Sequence, residues 1–104
     1  MRNGFYRLWL KGDTDTTGVV KLEDGQIIAC SPKYVYVGNY IEQNGRLTMH
    51  VRRKRFDGRG FQSTPQHPNE LHLEIEGAAG EQFALLIGRI TELPDVVMNL
   101  EFAW

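Results

Sequence analysis

The chain has 104 residues, enough for one domain with its own core and too few for two. Its 12 basic and 13 acidic side chains leave a formal net charge of −1, so the whole molecule has no electrostatic pull toward nucleic acid or an anionic membrane. The single cysteine, Cys30, excludes an internal disulfide and fits a reducing compartment.

Residues 5–11 alternate, with Tyr6, Leu8 and Leu10 on one face and Phe5, Arg7, Trp9 and Lys11 on the other, which predicts a half-buried strand. The same basic residues interrupt any signal-peptide core, and no run approaches the roughly 20 apolar residues of a transmembrane helix. A soluble cytoplasmic protein is therefore expected. Residues 12–16 form a turn, in which Asp13-Thr14-Asp15 lacks the glycine and distal glutamate of a calcium loop. Strands over 19–22 and 26–29 flank Asp24-Gly25, a pair that tolerates the positive φ of a type I′ hairpin turn. Ser31-Pro32-Lys33 breaks the ladder, and a strand resumes over 34–41. Asn44-Gly45 marks a second tight hairpin, leading into a strand over 46–55 with Leu47, Met49 and Val51 on one face. Residues 56–69, broken by Gly58, Gly60, Pro65 and Pro68, form the longest loop, with room for a short helical turn and with Phe56 and Phe61 as a candidate lid. A strand over 70–76 turns Leu71, Leu73 and Ile75 inward and His72, Glu74 and Glu76 outward. Residues 77–80 turn the chain into 82–90, where Phe83, Leu85 and Ile87 oppose Ala84, Leu86 and Ile90. Both faces there are apolar. The last strand, from about 96 to 104, gathers Met98, Leu100, Phe102 and Trp104 on one side.

About eight short strands with hairpin-like connections and no amphipathic helix predict an all-β fold, an antiparallel sandwich or barrel, of which a small eight-stranded up-and-down barrel is favoured. Closure of the last strand on the first removes an otherwise hazardous apolar edge. Such a barrel has an interior just wide enough for side chains or one small ligand. If it is hollow, Tyr6, Leu8, Leu10, Leu71, Leu73, Ile75, Leu100 and Phe102 line the cavity for a small apolar molecule.

In order and spacing, Asn3-Gly4-Phe5-Tyr6, the run from Gly18 through Asp24-Gly25 to Ile27, Tyr34-Val35-Tyr36-Val37-Gly38-Asn39-Tyr40 and Val51-Arg52-Arg53 cover the first half of the chain. In these motifs the chain resembles the GrlR-like family, negative regulators associated with bacterial type III secretion. The resemblance implies a closed lipocalin-like barrel, a homodimer, and action by binding a regulatory protein rather than by catalysis. The sequence departs from the family pattern in carrying Ala29-Cys30-Ser31 where relatives commonly have Gly-Gly-Asp. Only Glu42 is acidic in the hairpin turn where regulatory members carry a run of acids.

Glu42 and Asn44 in that turn, with the basic run Arg52, Arg53, Lys54 and Arg55, are the candidates for contact with a protein partner. Alternation sends Arg52 and Arg53 to opposite faces, and with a near-neutral chain no nucleic-acid partner is expected. His50, His67 and His72 show no ligand spacing, so no metal and no cofactor is expected. Cys30 lacks a nearby base or oxyanion loop, and no enzyme is predicted. The outer Trp9, the tyrosines Tyr34, Tyr36 and Tyr40, and Leu86 from the two-sided strand place more apolar surface outside than a monomer leaves in water. They are the candidates for a homodimer interface.

Overall fold

A computed structural model describes residues 1–11, 16–32, 34–55 and 70–104. The turn holding Asp13 and Asp15, the 56–69 loop with its expected helical turn and lid, and His67 lie outside the described residues.

Eight strands follow one another in sequence order around a closed antiparallel barrel: β1 (Gly4–Lys11), β2 (Thr16–Glu23), β3 (Gln26–Cys30), β4 (Tyr34–Gln43), β5 (Arg46–Arg55), β6 (Glu70–Ala79), β7 (Phe83–Ile90) and β8 (Leu93–Ala103). The closing ladder runs from Arg7 opposite Ala103 to Lys11 opposite Asn99, so the apolar last strand is paired on both sides as expected. Both predicted tight turns have positive φ at their two central residues, 50° and 83° at Asp24-Gly25 and 53° and 75° at Asn44-Gly45. Among the described residues no helix is long and apolar enough to cross a membrane.

Several strands outrun their sequence signals. β6 continues through Gly77 to Ala79, where residues 77–80 read as a turn. Gly77 belongs to the ladder because a Cβ there would lie 2.1 Å from the Leu85 carbonyl oxygen; the sheet coils so sharply at this point that only glycine fits. Gly38 is the equivalent on β4, with a Cβ position 2.0 Å from the His50 carbonyl. β8 starts at Leu93 and takes in Pro94. Ile90 pairs with Leu93 but Arg89 pairs with Val97, so Pro94, Asp95 and Val96 are extra residues on β8. Proline, lacking an N–H, is tolerated in this gap in the ladder. The odd insertion switches parity, and Leu93 and Val96 both pack on the core.

The interior holds the alternate residues of every strand. Val20, Leu22, Leu47, Met49 and Ala84 are wholly buried, with Tyr6, Leu71, Leu73 and Phe102 nearly so. Each such aliphatic side chain contributes about 1.5–3 kcal/mol relative to exposure. All eight residues expected to line the interior are buried there, and among the described residues the void bounded by Leu8, Leu10, Leu73, Ile75, Leu100, Phe102 and their neighbours is about 20 Å3, room for one water molecule. Small residues on β7 make the packing possible. Ala84 sits opposite Phe102 and Gly88 opposite Ile75.

Candidate functional site

With the interior filled, what the barrel can offer a partner is its two ends and its outer wall. At one end, Tyr6 donates its hydroxyl proton to the Arg2 carbonyl, and the Trp104 ring stands edge-on to it at 5.5 Å. Trp104 is thus not an inward residue of β8; it lies past the strand, 56% exposed, and caps the rim. Glu42, on the same rim, pairs with the amine of Met1.

An aromatic and basic cluster lies toward the opposite end. Arg53 points inward from β5 and lays its guanidinium 4.1 Å from the centre of the Tyr34 ring, a cation–π contact. It also hydrogen-bonds Tyr36, as does the buried Ser31. Burial pushes the Tyr36 phenol above its ordinary value, against the opposing pull of Arg53.

These positions correct several interface candidates. Tyr36 is buried, and Tyr34 and Tyr40, on the same inward face, are half-buried against the core. Leu86 is 3% exposed and also inward. The pairing that sets Ala84 against Phe102 and Leu86 against Leu100 turns the even-numbered residues of β7 to the core. Trp9 stays on the outer face, half-buried.

The acidic and basic partner candidates do not form one site. Asn44 and Glu42 lie toward one end of the β4–β5 hairpin and Arg52–Arg55 toward the other; Glu42 is level with Leu47, about 17 Å from Arg52 and about 27 Å from Arg55 at the usual strand rise. Within the basic run, Arg52 and Lys54 face out and Arg53 faces in. Arg52 lies 3.5 Å from Glu70.

Both described histidines, His50 and His72, are engaged by acids on the outer wall. His50 lies 4.0 Å from Glu74. His72 Nδ1 lies 2.5 Å from Glu92, whose other oxygen accepts the His72 backbone N–H at 2.8 Å, and Thr91 N–H donates to the His72 carbonyl. The β7–β8 turn is thereby pinned to β6. Among the described residues no group of three or more His, Cys, Asp or Glu is arranged to hold a metal. Partial burial pushes the Glu92 carboxyl up, but the hydrogen bonds from His72 outweigh it and hold it below its ordinary value. A depressed carboxyl contributes stability above its unfolded value, and that contribution is lost as pH falls through the folded one. Glu92→Gln is therefore expected to melt a little below the wild type at neutral pH and to converge with it under acid conditions. Melting curves from neutral pH to below the carboxylate range check this; a gap that widens on acidification contradicts it.

What sequence reasoning missed is the face of β7 that remains outside. Phe83, Leu85 and Ile87 are 46%, 51% and 46% exposed, in a line along one strand. The two-sided pattern of 82–90 signalled that one face would be bare; register decided which. Across β8, Leu85 is level with Glu101 and then Trp9, so the tryptophan borders the same stripe. Trp9→Ala is expected to weaken any association through this face by about tenfold while sparing the fold, because Trp9 lies at the rim of the stripe and outside the core. Sedimentation at micromolar concentration measures it, and unchanged association counts against a role for Trp9. The outer wall also carries two grooves, of about 470 Å3 beside Gly38 and about 380 Å3 beside Gly77.

No family model matches the chain, and it matches no curated protein.

Proposed function

We propose that this protein is a non-enzymatic binding module that acts by protein–protein contact and self-associates through the outer face of β7. The observation that carries the reading is the contrast between a barrel interior with about 20 Å3 to spare and an exposed line of Phe83, Leu85 and Ile87. A carrier needs the reverse, a cavity of several hundred Å3 and a polar wall.

The occupant that best suits the stripe is a second copy. It reads Glu81, Phe83, Leu85, Ile87, Arg89, with an acid beyond one end and a base at the other. A two-fold axis through Leu85 lays Ile87 of each copy on Phe83 of its mate and brings Arg89 toward Glu81 twice. Resemblance to the GrlR-like family extends the proposal to a regulatory role, the restraint of a transcription or type III secretion regulator. The carrier of a small hydrophobic ligand is the alternative, and it requires the barrel to open.

Native mass spectrometry of the purified chain separates the readings. The expected result is a species of twice the chain mass that releases no small molecule on denaturation. A monomer, or a released apolar ligand, overturns the proposal.

A further inference from the structure

The geometry points to a carboxylate-binding subsite at the mouth of the barrel beside Ser31, where the Arg53 guanidinium and the Tyr36 hydroxyl hold the two oxygens of a ligand's carboxylate. The subsite lies away from the β7 stripe and does not depend on self-association.

Arg53 carries a charge on an otherwise neutral inward face. In register it stands between Tyr36 on β4 and Leu71 on β6. Val51, one inward step deeper on β5, is 3% exposed, whereas Arg53 and Tyr34 are half-buried, so the guanidinium lies where the packed core meets solvent. A cation drawn partly out of water calls for a compensating charge. On the outer wall Lys21, Arg46 and Arg52 have one, lying 3.0, 3.6 and 3.5 Å from Glu23, Glu76 and Glu70. Arg53 has no carboxylate partner among the described residues; its contacts are the Tyr34 ring and the Tyr36 hydroxyl.

Those contacts fix the guanidinium and leave most of its donors unused. At 4.1 Å from the ring centre it rests on Tyr34, a contact that takes none of its five N–H groups. Arginine can only donate, so the Tyr36 oxygen accepts from it. The buried Ser31 hydroxyl bonds Tyr36 as well, and with both as donors the Tyr36 O–H is left for an incoming acceptor. Burial raises the Tyr36 phenol, which therefore keeps that proton at neutral pH. A planar carboxylate fits this set, one oxygen on the guanidinium edge and the other on the phenol, with one negative charge to answer one positive. Phosphate brings more charge than a single arginine balances. The lumen beneath has only about 20 Å3 to spare, so the rest of the ligand points out of the barrel. The carboxylate therefore belongs to a small acid seated at the mouth or to the chain terminus of a protein partner.

Two probe pairs test this: benzoate against benzamide, and an acetylated alanine tripeptide with a free against an amidated terminus. With the full chain labelled with nitrogen-15 at low salt, each acid is expected to shift the Arg53 Nε–H resonance and to bind at least about tenfold more tightly than its amide. The tighter acid identifies the source, benzoate for a free small molecule and the peptide for a protein terminus. Arg53→Lys keeps the charge and loses the fork, and Tyr36→Phe loses only the hydroxyl; each is expected to weaken binding about tenfold. The wild-type comparison needs no variant, so a folding defect in either leaves the test intact. No shift at Arg53, equal binding of acid and amide, or tighter binding of inorganic phosphate than of either acid overturns the proposal. Leu85→Glu, on the outer face of β7, is expected to leave carboxylate binding unchanged, so failure here and failure of self-association are read separately.

Discussion

Leu85→Glu is expected to abolish the proposed self-association at micromolar concentration, raising its dissociation constant by about a hundredfold or more while leaving the melting temperature within a few degrees. Leu85 is half-exposed at the middle of the β7 stripe, so its replacement removes nothing from the core. At a two-fold interface the same residue from each copy lies near the axis, and two carboxylates there meet each other without a compensating base. A desolvated like-charge pair of this kind costs several kcal/mol, the scale of the hundredfold effect. The ends of the stripe supply a sharper test. Arg89→Glu alone should weaken association by bringing it against Glu81, and adding Glu81→Arg should restore it. Sedimentation velocity on the set decides: an unaltered dimer for Leu85→Glu removes the β7 face from the account, and no rescue by the charge swap removes the proposed orientation.

Phe102→Ala is expected to lower the unfolding free energy by about 3–5 kcal/mol, equivalent to a fall of about 15–30 °C in melting temperature for a domain of this size. Phe102 is 1% exposed and lies between Leu8 on β1 and Ala84 on β7, at the seam where the barrel closes. Neither neighbouring strand is free to collapse into the space, because both are paired on each side. The variant should therefore acquire a dry cavity that binds xenon or benzene, as apolar cavities of that size do. Urea denaturation gives the free energy. A loss below about 1 kcal/mol would mean that the interior repacks freely, and the distinction between a filled module and an adaptable carrier would dissolve with it.

The course of the chain was legible because its signals are local. Asp24-Gly25 and Asn44-Gly45 state their turn type in two residues, and alternation across 5–11, 46–55 and 70–76 states which residues go inside. The interior candidates Tyr6, Leu8, Leu10, Leu71, Leu73, Ile75, Leu100 and Phe102 all took the positions their periodicity implied. Where both faces are apolar, alternation carries no information about sign. For that reason the sequence offers Tyr34, Tyr36, Tyr40 and Leu86 as outer-face candidates although they point inward. One signal was available at β7, since Ala84 and Gly88 are small enough to face bulky neighbours in a crowded interior. It becomes readable only once Phe102 and Ile75 are known to lie opposite them. Gly77 misled for a related reason: a glycine demanded by a neighbouring backbone and a glycine demanded by a turn look identical in sequence.

Hydrophobic alternation and turn chemistry by themselves determined a run of about eight short strands joined as antiparallel neighbours, because each depends on contacts among residues close in the chain. Tertiary structure decided which apolar faces stayed outside, that the lumen is packed, and that Glu42 and Arg52 stand toward opposite ends of one hairpin. Those outcomes depend on inter-strand register and on the closure of β8 against β1. Register is a sum of many weak side-chain pairings around a ring, and a shift of one residue in any ladder would exchange inside for outside along the whole strand.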